Sequence, residues 1–512
     1  MKYAFASLIL LLALALAFAS CGRDDDRRTA SDADVDGDSD ADTDSSTEYD
    51  GPAIPETCEQ AAQAATTVGC LFYAVDLDSH DMVEDQQYAI AVSNVHQASV
   101  ATVSMSKGNP SGEWDPPQTV EVQPMSLHSF NTMPDYHQDG SGVMLKGSYK
   151  VESDIPIIVY QFNPVDGASS YLSDASMLIP VTSLSLTYDV VGWKQNQGDG
   201  DMRAYFTVVA TQDNTSITVE PSVAPLAGGV VPGTQTGFSV DLDEGDVLEV
   251  QTANVGDSLT GTRITADEGH PIIVFSGQEC AFIPETIYAC DHLEEQIPGM
   301  RFWGKDFAAS RMPVRSAAAT AEDVLWQVYA SEDETEVSFD ATAGVTGLPA
   351  SPSYLDQGQV LEFYAGGTST EPGDFMVHSN KPIGLMQYMI GSENPNCGSI
   401  GDPAMVYVSP TEQFLPRYVV LVPGTWINDA LIITRHQGSA VVLDDETLPD
   451  DVFTPVASSG FEVARVPVPD GIHTLETGSE SGLGVIVVGW DEWDSYAYTG
   501  GMGMGEINPG VE

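Results

Sequence analysis

The stretch Leu242-Asp243-Glu244-Gly245-Asp246-Val247-Leu248-Glu249 recurs downstream as Leu355-Asp356-Gln357-Gly358-Gln359-Val360-Leu361-Glu362, identical at six of eight positions and 113 residues later. A match of this kind marks an internal repeat and sets the frame for the rest of the chain. Upstream of each copy lies a second shared pattern, over residues 206–219 with Asp213-Asn214 at its centre and over residues 325–339 with Asp333-Glu334 at its centre. Alternating apolar residues on either side of turn-forming residues predict β-hairpins there. Weaker copies run over residues 89–103, with a turn near His96-Gln97, and over residues 431–443, with a turn at His436-Gln437-Gly438.

A third pattern follows each of these. A proline opens an apolar strand at Pro156-Ile-Ile-Val-Tyr160, Pro271-Ile-Ile-Val-Phe275 and Pro382-Ile-Gly-Leu-Met386, and Val485-Ile-Val-Val-Gly-Trp490 is the fourth copy. Proline is tolerated at a strand's first position because no ladder donor is lost. The first three copies continue to an aspartate, a proline and an aromatic: Asp174, Pro180, Tyr188; Asp291, Pro298, Phe307; Asp402, Pro410, Tyr418. The fourth stops short of that last strand, and the first carries a matching extra strand over residues 71–75. The sequence therefore predicts an all-β chain of four repeated antiparallel units of about 95–120 residues, each large enough to hold a core. The units occupy residues 52–186, 187–305, 306–417 and 418–505, followed by a tail over residues 506–512. Short strands at this density favour tandem β-sandwiches. The alternative is a propeller-like closed ring, which the exchange of a last strand for a first one also suits. One short helix is expected, over residues 55–67.

The N-terminus reads as a targeting device. Lys2 precedes an apolar run over residues 8–19, too short for a bilayer core of ~30 Å, and Ala19-Ser20-Cys21-Gly22 closes it. Residues 1–20 are thus expected to be a signal peptide. Small residues before a single cysteine resemble the lipobox of bacterial lipoproteins, which implies lipidation at Cys21 and stable membrane anchoring. Residues 21–51 hold twelve acidic residues and almost no large apolar ones, the composition of a disordered, self-repelling tether. Asp32-x-Asp34-x-Asp36-Gly37-Asp38 matches the start of a calcium loop, but the twelfth position is Thr43 rather than a bidentate glutamate. Calcium is the one cofactor the sequence leaves open.

The chain has 512 residues and a formal charge of −58 from only 18 basic residues, which excludes a nucleic-acid partner. Most of that charge belongs to the β units and reads as a solubility device for exposed strands.

With Cys21 lipidated, five cysteines remain. Cys58 with Cys70 and Cys280 with Cys290 are the economical disulfides in an oxidising compartment, and Cys397 is left over. Several segments together carry a family likeness: residues 69–78 (GCLFYAVDLD), 173–180 (SDASMLIP), 276–280 (SGQEC), 289–298 (ACDHLEEQIP) and 401–405 (GDPAM). Over about residues 55–505 the chain resembles the bacterial branch of the IgG Fc-binding protein N-terminal domain family. The resemblance implies an extracellular binding or adhesion protein at the cell envelope, outer membrane or cell surface, whose ligand is a protein or glycan, and it supplies no catalytic residues.

Chemistry is sparse. Asp291-His292-Leu293-Glu294-Glu295 is the densest titratable cluster, but no third zinc ligand and no His-Glu-x-x-His accompany it. It reads as a structural connection beside a disulfide. Gly478-Ser-Glu-Ser-Gly482 has Glu480 where a nucleophilic serine would stand, and Gly501-Met-Gly503-Met-Gly505 reads as a flexible C-terminal stretch. No catalytic or metal-binding residue is assigned, so the expected role is non-catalytic binding. A hydrolase acting on extracellular polymer and a calcium-stiffened spacer are the rival readings.

Overall fold

In the computed structural model, which describes residues 54–84, 86–132, 136–164, 172–198, 202–316, 321–368 and 371–509, the two repeated motifs fold against each other. Asp243 to Asp246 form a tight turn closed by Asp246 N–H on the Asp243 carbonyl (2.9 Å). Its third residue, Gly245, sits at φ +81° and its counterpart Gly358 at φ +79°, where a side chain would be strained. The Asp213 carboxylate accepts from Glu244 N (3.2 Å), and the Asp243 carboxylate accepts from Asn214 N (2.9 Å). The second copy repeats this, with Gln357 N on Asp333 (3.1 Å) and Glu334 N on Asp356 (3.4 Å). The two motifs recur together because each caps the other's turn.

After one short α-helix, α1 (Cys58–Ala64), the regular elements are strands apart from short 3-10 turns. The first group comprises β1 (Gly69–Ala74), β2 (Ala89–Asn94), β3 (Ala101–Lys107), β4 (Gln118–Val122), β5 (Ser126–Asn131), β6 (Gly142–Met144), the long β7 (Tyr149–Asn163) and β8 (Asp174–Met177). The start of β7 pairs with β1 and β3, and its end pairs with β2 and β8. The second group comprises β9 (Thr187–Asp189), β10 (Ala204–Ala210), β11 (Thr215–Glu220), β12 (Phe238–Leu242), β13 (Val247–Gln251), β14 (Arg263–Ala266), β15 (Ile272–Ala281) and β16 (Asp291–Gln296). They form two sheets, ordered β12-β11-β14-β9 and β16-β15-β10-β13, the latter extended by β6 of the first group.

The third group comprises β17 (Gly304–Ala309), β18 (Val324–Ala330), β19 (Thr335–Ala341), β20 (Ser353–Leu355), β21 (Val360–Ala365), β22 (Phe375–Tyr388) and β23 (Met405–Tyr407), joined through the long β22. The fourth comprises β24 (Arg417–Val422), β25 (Asn428–His436), β26 (Val441–Leu443), β27 (Glu446–Thr447), β28 (Thr454–Pro455), β29 (Phe461–Pro467), β30 (Gly471–Thr477), β31 (Leu483–Asp491) and β32 (Asp494–Thr499). Its sheets are ordered β24-β30-β26-β27 and β28-β29-β25-β31-β32.

Two sequence expectations are corrected here. The segments around Asp213, Asp333, His96 and His436 are not hairpins, because the strands on either side of each turn do not pair with each other. Strand β10 pairs with β13 and β15 while β11 pairs with β12 and β14 in another sheet, β25 and β26 are likewise in different sheets, and β2 and β3 sit on either side of β7 as β18 and β19 sit on either side of β22. At Asp213 and His436 the turn arches from one sheet to another, and at His96 and Asp333 it crosses over the long strand that lies between its two strands. The alternating apolar residues on both sides serve one core from two directions, a pattern that a hairpin and an arch share.

The second correction concerns residues 501–505. Met502 and Met504 are 2% and 3% exposed within the core that holds the first two strand groups, and Gly503 bridges Thr66. The glycines permit the approach, since a Cβ on Gly503 would lie 2.7 Å from Gln413 Oε1. The stretch is a structured strap.

The cores run across group limits. One joins the first and second groups and includes Tyr329, Met386 and Tyr388 of the third. Another joins the third and fourth groups, and a third joins Tyr160, Phe162 and Met177 of the first group to Tyr418, Trp426 and Tyr498 of the fourth. The last strand of each group lies inside this arrangement: β8 packs against β16 and β32, and β23 packs against β16 and β32. These four strands define an axis.

Residues 1–53 lie outside the described residues, so Cys21, the signal peptide, the tether up to Gly51 and the calcium-like loop at Asp32 are not placed by the structure. No helix among the described residues is long and apolar enough to cross a membrane.

Candidate functional site: an axial cavity against buried carboxylates

Each axial strand brings one aspartate inward. Asp174, Asp291 and Asp494 open β8, β16 and β32, Asp402 lies just before β23, and all four are fully buried. The Asp174 carboxylate accepts N–H groups from every axial strand: its own Ala175 (2.9 Å), Glu294 (3.1 Å), Met405 (3.4 Å) and Ala497 (3.4 Å). An axial strand pairs on only one side, so its other row of N–H groups needs partners, and a central carboxylate supplies them. Asp291 accepts from His292 N (2.9 Å) and Ser495 N (3.2 Å), and Asp494 accepts from Ser173 Oγ (2.9 Å).

Burial first, then the neighbouring carboxylates Asp494, Asp402 and Asp174, pushes Asp291 well above the usual carboxylate range. Burial also raises Asp174, Asp494, Glu294 and Glu295, and it pushes Asp402 to about 6 against the pull of Ser392 and Arg315. The same burial lowers His292 to about 3. His292 and Glu294 approach to 3.7 Å, and burial works against the charged form of each. The segment Asp291–Gln296 is the axial strand β16, directly after the Cys280–Cys290 disulfide. Strand alternation puts His292 and Glu294 on one side and Glu295 on the other, so His-x-x-Glu does not converge.

A cavity of about 680 Å³ opens at the beginnings of these strands. Its lining includes Leu172, Cys290, Asp402 and Trp493, the positions at or just before the four axial aspartates, together with His80, Met82, Met202, Phe282 and Tyr288. The disulfide Cys280–Cys290 forms part of the wall, and Cys58–Cys70 ties α1 to β1 elsewhere. Cys397 is free and buried, with its thiol against the Ser392 and Asn394 carbonyls. The rim is apolar and exposed: Met82 at 71%, Tyr288 at 72% and Trp493 at 43%. Trp493 also holds φ +61° in the turn between β31 and β32. A bulky residue there is strained by about 1 kcal/mol or more relative to glycine, and such strain concentrates at functional sites.

No sequence argument singled out Met82, Tyr288 or Trp493. A tyrosine in a loop of about ten residues closed by a disulfide is the one signal that pointed here. The expected pairs Cys58 with Cys70 and Cys280 with Cys290 are the bonds the structure contains.

These features define a disulfide-stapled all-β protein with a sealed polar axis and an apolar-rimmed cavity at its end. The family model described as IgGFc binding protein matches residues 174–489, from the first axial aspartate into β31, and the chain belongs to that family. The family's description points to an extracellular binding protein. None of the curated proteins matches the chain.

Proposed function

We propose that this chain is a bacterial surface lipoprotein that binds an extracellular protein or glycan at the axial cavity without transforming it. In this reading the four strand groups are copies of one unit closed into a ring, the lipid on Cys21 anchors it, and the acidic tether holds it clear of the envelope. The carrying observation is the exposed rim of Met82, Tyr288 and Trp493 around one cavity. Exposed aromatics clustered over a pocket are the anchors that binding sites use. The described lining offers no free thiol, because both of its cysteines are in a disulfide, and Asp402 Oδ1 is held by Ser392 N (2.9 Å).

The test is affinity capture with the soluble body, residues 52–512, from host or environmental extracellular material, with immobilised IgG Fc as one named bait. The wild-type body should retain a ligand that the double variant Tyr288→Ala, Trp493→Ala does not. Equal retention by the two would move the site elsewhere. Release of the full protein from membranes by Cys21→Ser tests the anchor.

A further inference from the structure

We propose that Asp78, Glu84 and His137 form a site for a divalent cation of borderline hardness, such as Zn²⁺ or Mn²⁺. His137 Nε2 lies 3.3 Å from Glu84 Oε2 and 4.0 Å from Asp78 Oδ1, and one ligand atom from each residue falls within 4.8 Å of the others. Ligands held at ~2.0–2.2 Å from one ion stand ~3–3.5 Å apart, so closure onto a cation needs side-chain shifts of about 1 Å or less. One imidazole with carboxylates favours Zn²⁺ or Mn²⁺ over Ca²⁺, which prefers oxygen throughout.

The surroundings support a resident cation. The Asp78 and His137 side chains are 5% exposed, whereas Glu84 is 32% exposed and leaves an entry path. Behind them the Gln251 amide nitrogen donates to Asp78 (2.6 Å), Glu249 (3.0 Å) and Glu279 (3.4 Å), so one neutral group faces three buried carboxylates. That amide orients Asp78 in the way outer partners orient metal ligands. On the same face of the sheet, Tyr205 lies in register with Gln251 and Thr207 with Glu249. Both hydroxyls are buried and neither has a hydrogen-bond partner among the described residues. The Tyr205 phenol is raised first by burial and then by Glu249 and Asp78, which places it in the field of the same carboxylates.

Asp78 and Glu84 also flank a turn in which Val83 N and Glu84 N both reach the His80 carbonyl, at 2.8 Å and 3.3 Å. That turn carries His80 and Met82 into the axial cavity. An ion held across its base would fix one wall of the cavity. This consequence rests on the binding function proposed above, whereas the cation site stands without it.

The test is metal retention by the full chain after chelation, incubation with ZnCl₂, MnCl₂ or CaCl₂, and gel filtration, read by elemental analysis and followed by calorimetric titration. One equivalent of Zn²⁺ or Mn²⁺ should be retained. His137→Ala and Glu84→Gln should each weaken that binding by about 10-fold or more, while Asp429→Asn, far from the site in sequence, should leave it unchanged. Glu84 is partly exposed, so its variant keeps the fold even where a change at Asp78 does not. Failure to retain either ion, retention of Ca²⁺ alone, or wild-type affinity in both variants overturns the site. Metal binding without ligand capture would overturn only the binding function.

Discussion

Replacing Asp174 with alanine removes the acceptor shared by all four axial strands. Four backbone N–H groups, those of Ala175, Glu294, Met405 and Ala497, lose their partner in a place where exposure is 0%. A buried donor left without an acceptor costs about 1–3 kcal/mol. The bonds at 2.9 and 3.1 Å carry most of that and the pair at 3.4 Å carries less. Relief of a buried acid offsets part of the loss, and the net is about 3–5 kcal/mol. Asp154 provides the comparison: its carboxylate accepts from Thr102 N (2.7 Å) at an exposed position, and Asp154→Ala should cost about 1 kcal/mol or less. Urea unfolding followed by tryptophan fluorescence, with scanning calorimetry to test for a single transition, compares the two. Equal midpoints for the Asp174 and Asp154 variants would refute the idea that one carboxylate knits the axis.

Other expectations follow from the same geometry. Burial holds Asp402 at about 6, above its ordinary 3.8, so its contribution to stability is full below pH about 4 and is lost as pH rises through 6. Asp402→Asn cannot ionise and should gain about 2–3 kcal/mol on the wild type between pH 4.5 and pH 8 in paired urea titrations; a pH-independent difference would contradict the raised value. Trp493→Gly relieves the strain at φ +61° and should keep or raise Tm by a degree or two while abolishing ligand capture, a split that a purely structural tryptophan would not show. Met502→Ala with Met504→Ala, at 2% and 3% exposure, should cost about 4 kcal/mol by calorimetry. A flexible terminus would give no change.

The sequence carried the strand content and the recurrence of Gly245 as Gly358 because these are local: turn chemistry and period-two alternation are written in neighbouring residues. It also carried the two disulfides, whose partners lie 12 and 10 residues apart. That the strands around Asp213 and Asp333 do not pair is not legible in the sequence, because alternation records which side of a strand is buried and not which strand lies beside it. Met502 and Met504 looked flexible because glycine-rich sequence is read from its backbone freedom, whereas their burial depends on Thr66 more than 400 residues away. The axial aspartates were visible as a recurring letter, yet their convergence is a property of four distant strands. Asp78, Glu84 and His137 had no signal at all, since their spacing follows no metal motif and only the fold brings His137 beside the turn at His80.

The central claim is that the cavity at the head of the axial aspartates is where this protein meets its ligand. Hydroxyl-radical footprinting of the body with and without the captured ligand tests it most directly. Protection confined to Met82, Phe282, Tyr288 and Trp493 is the expected result, and protection centred on other exposed residues such as Tyr354 or Ile427, with those four unchanged, would contradict it.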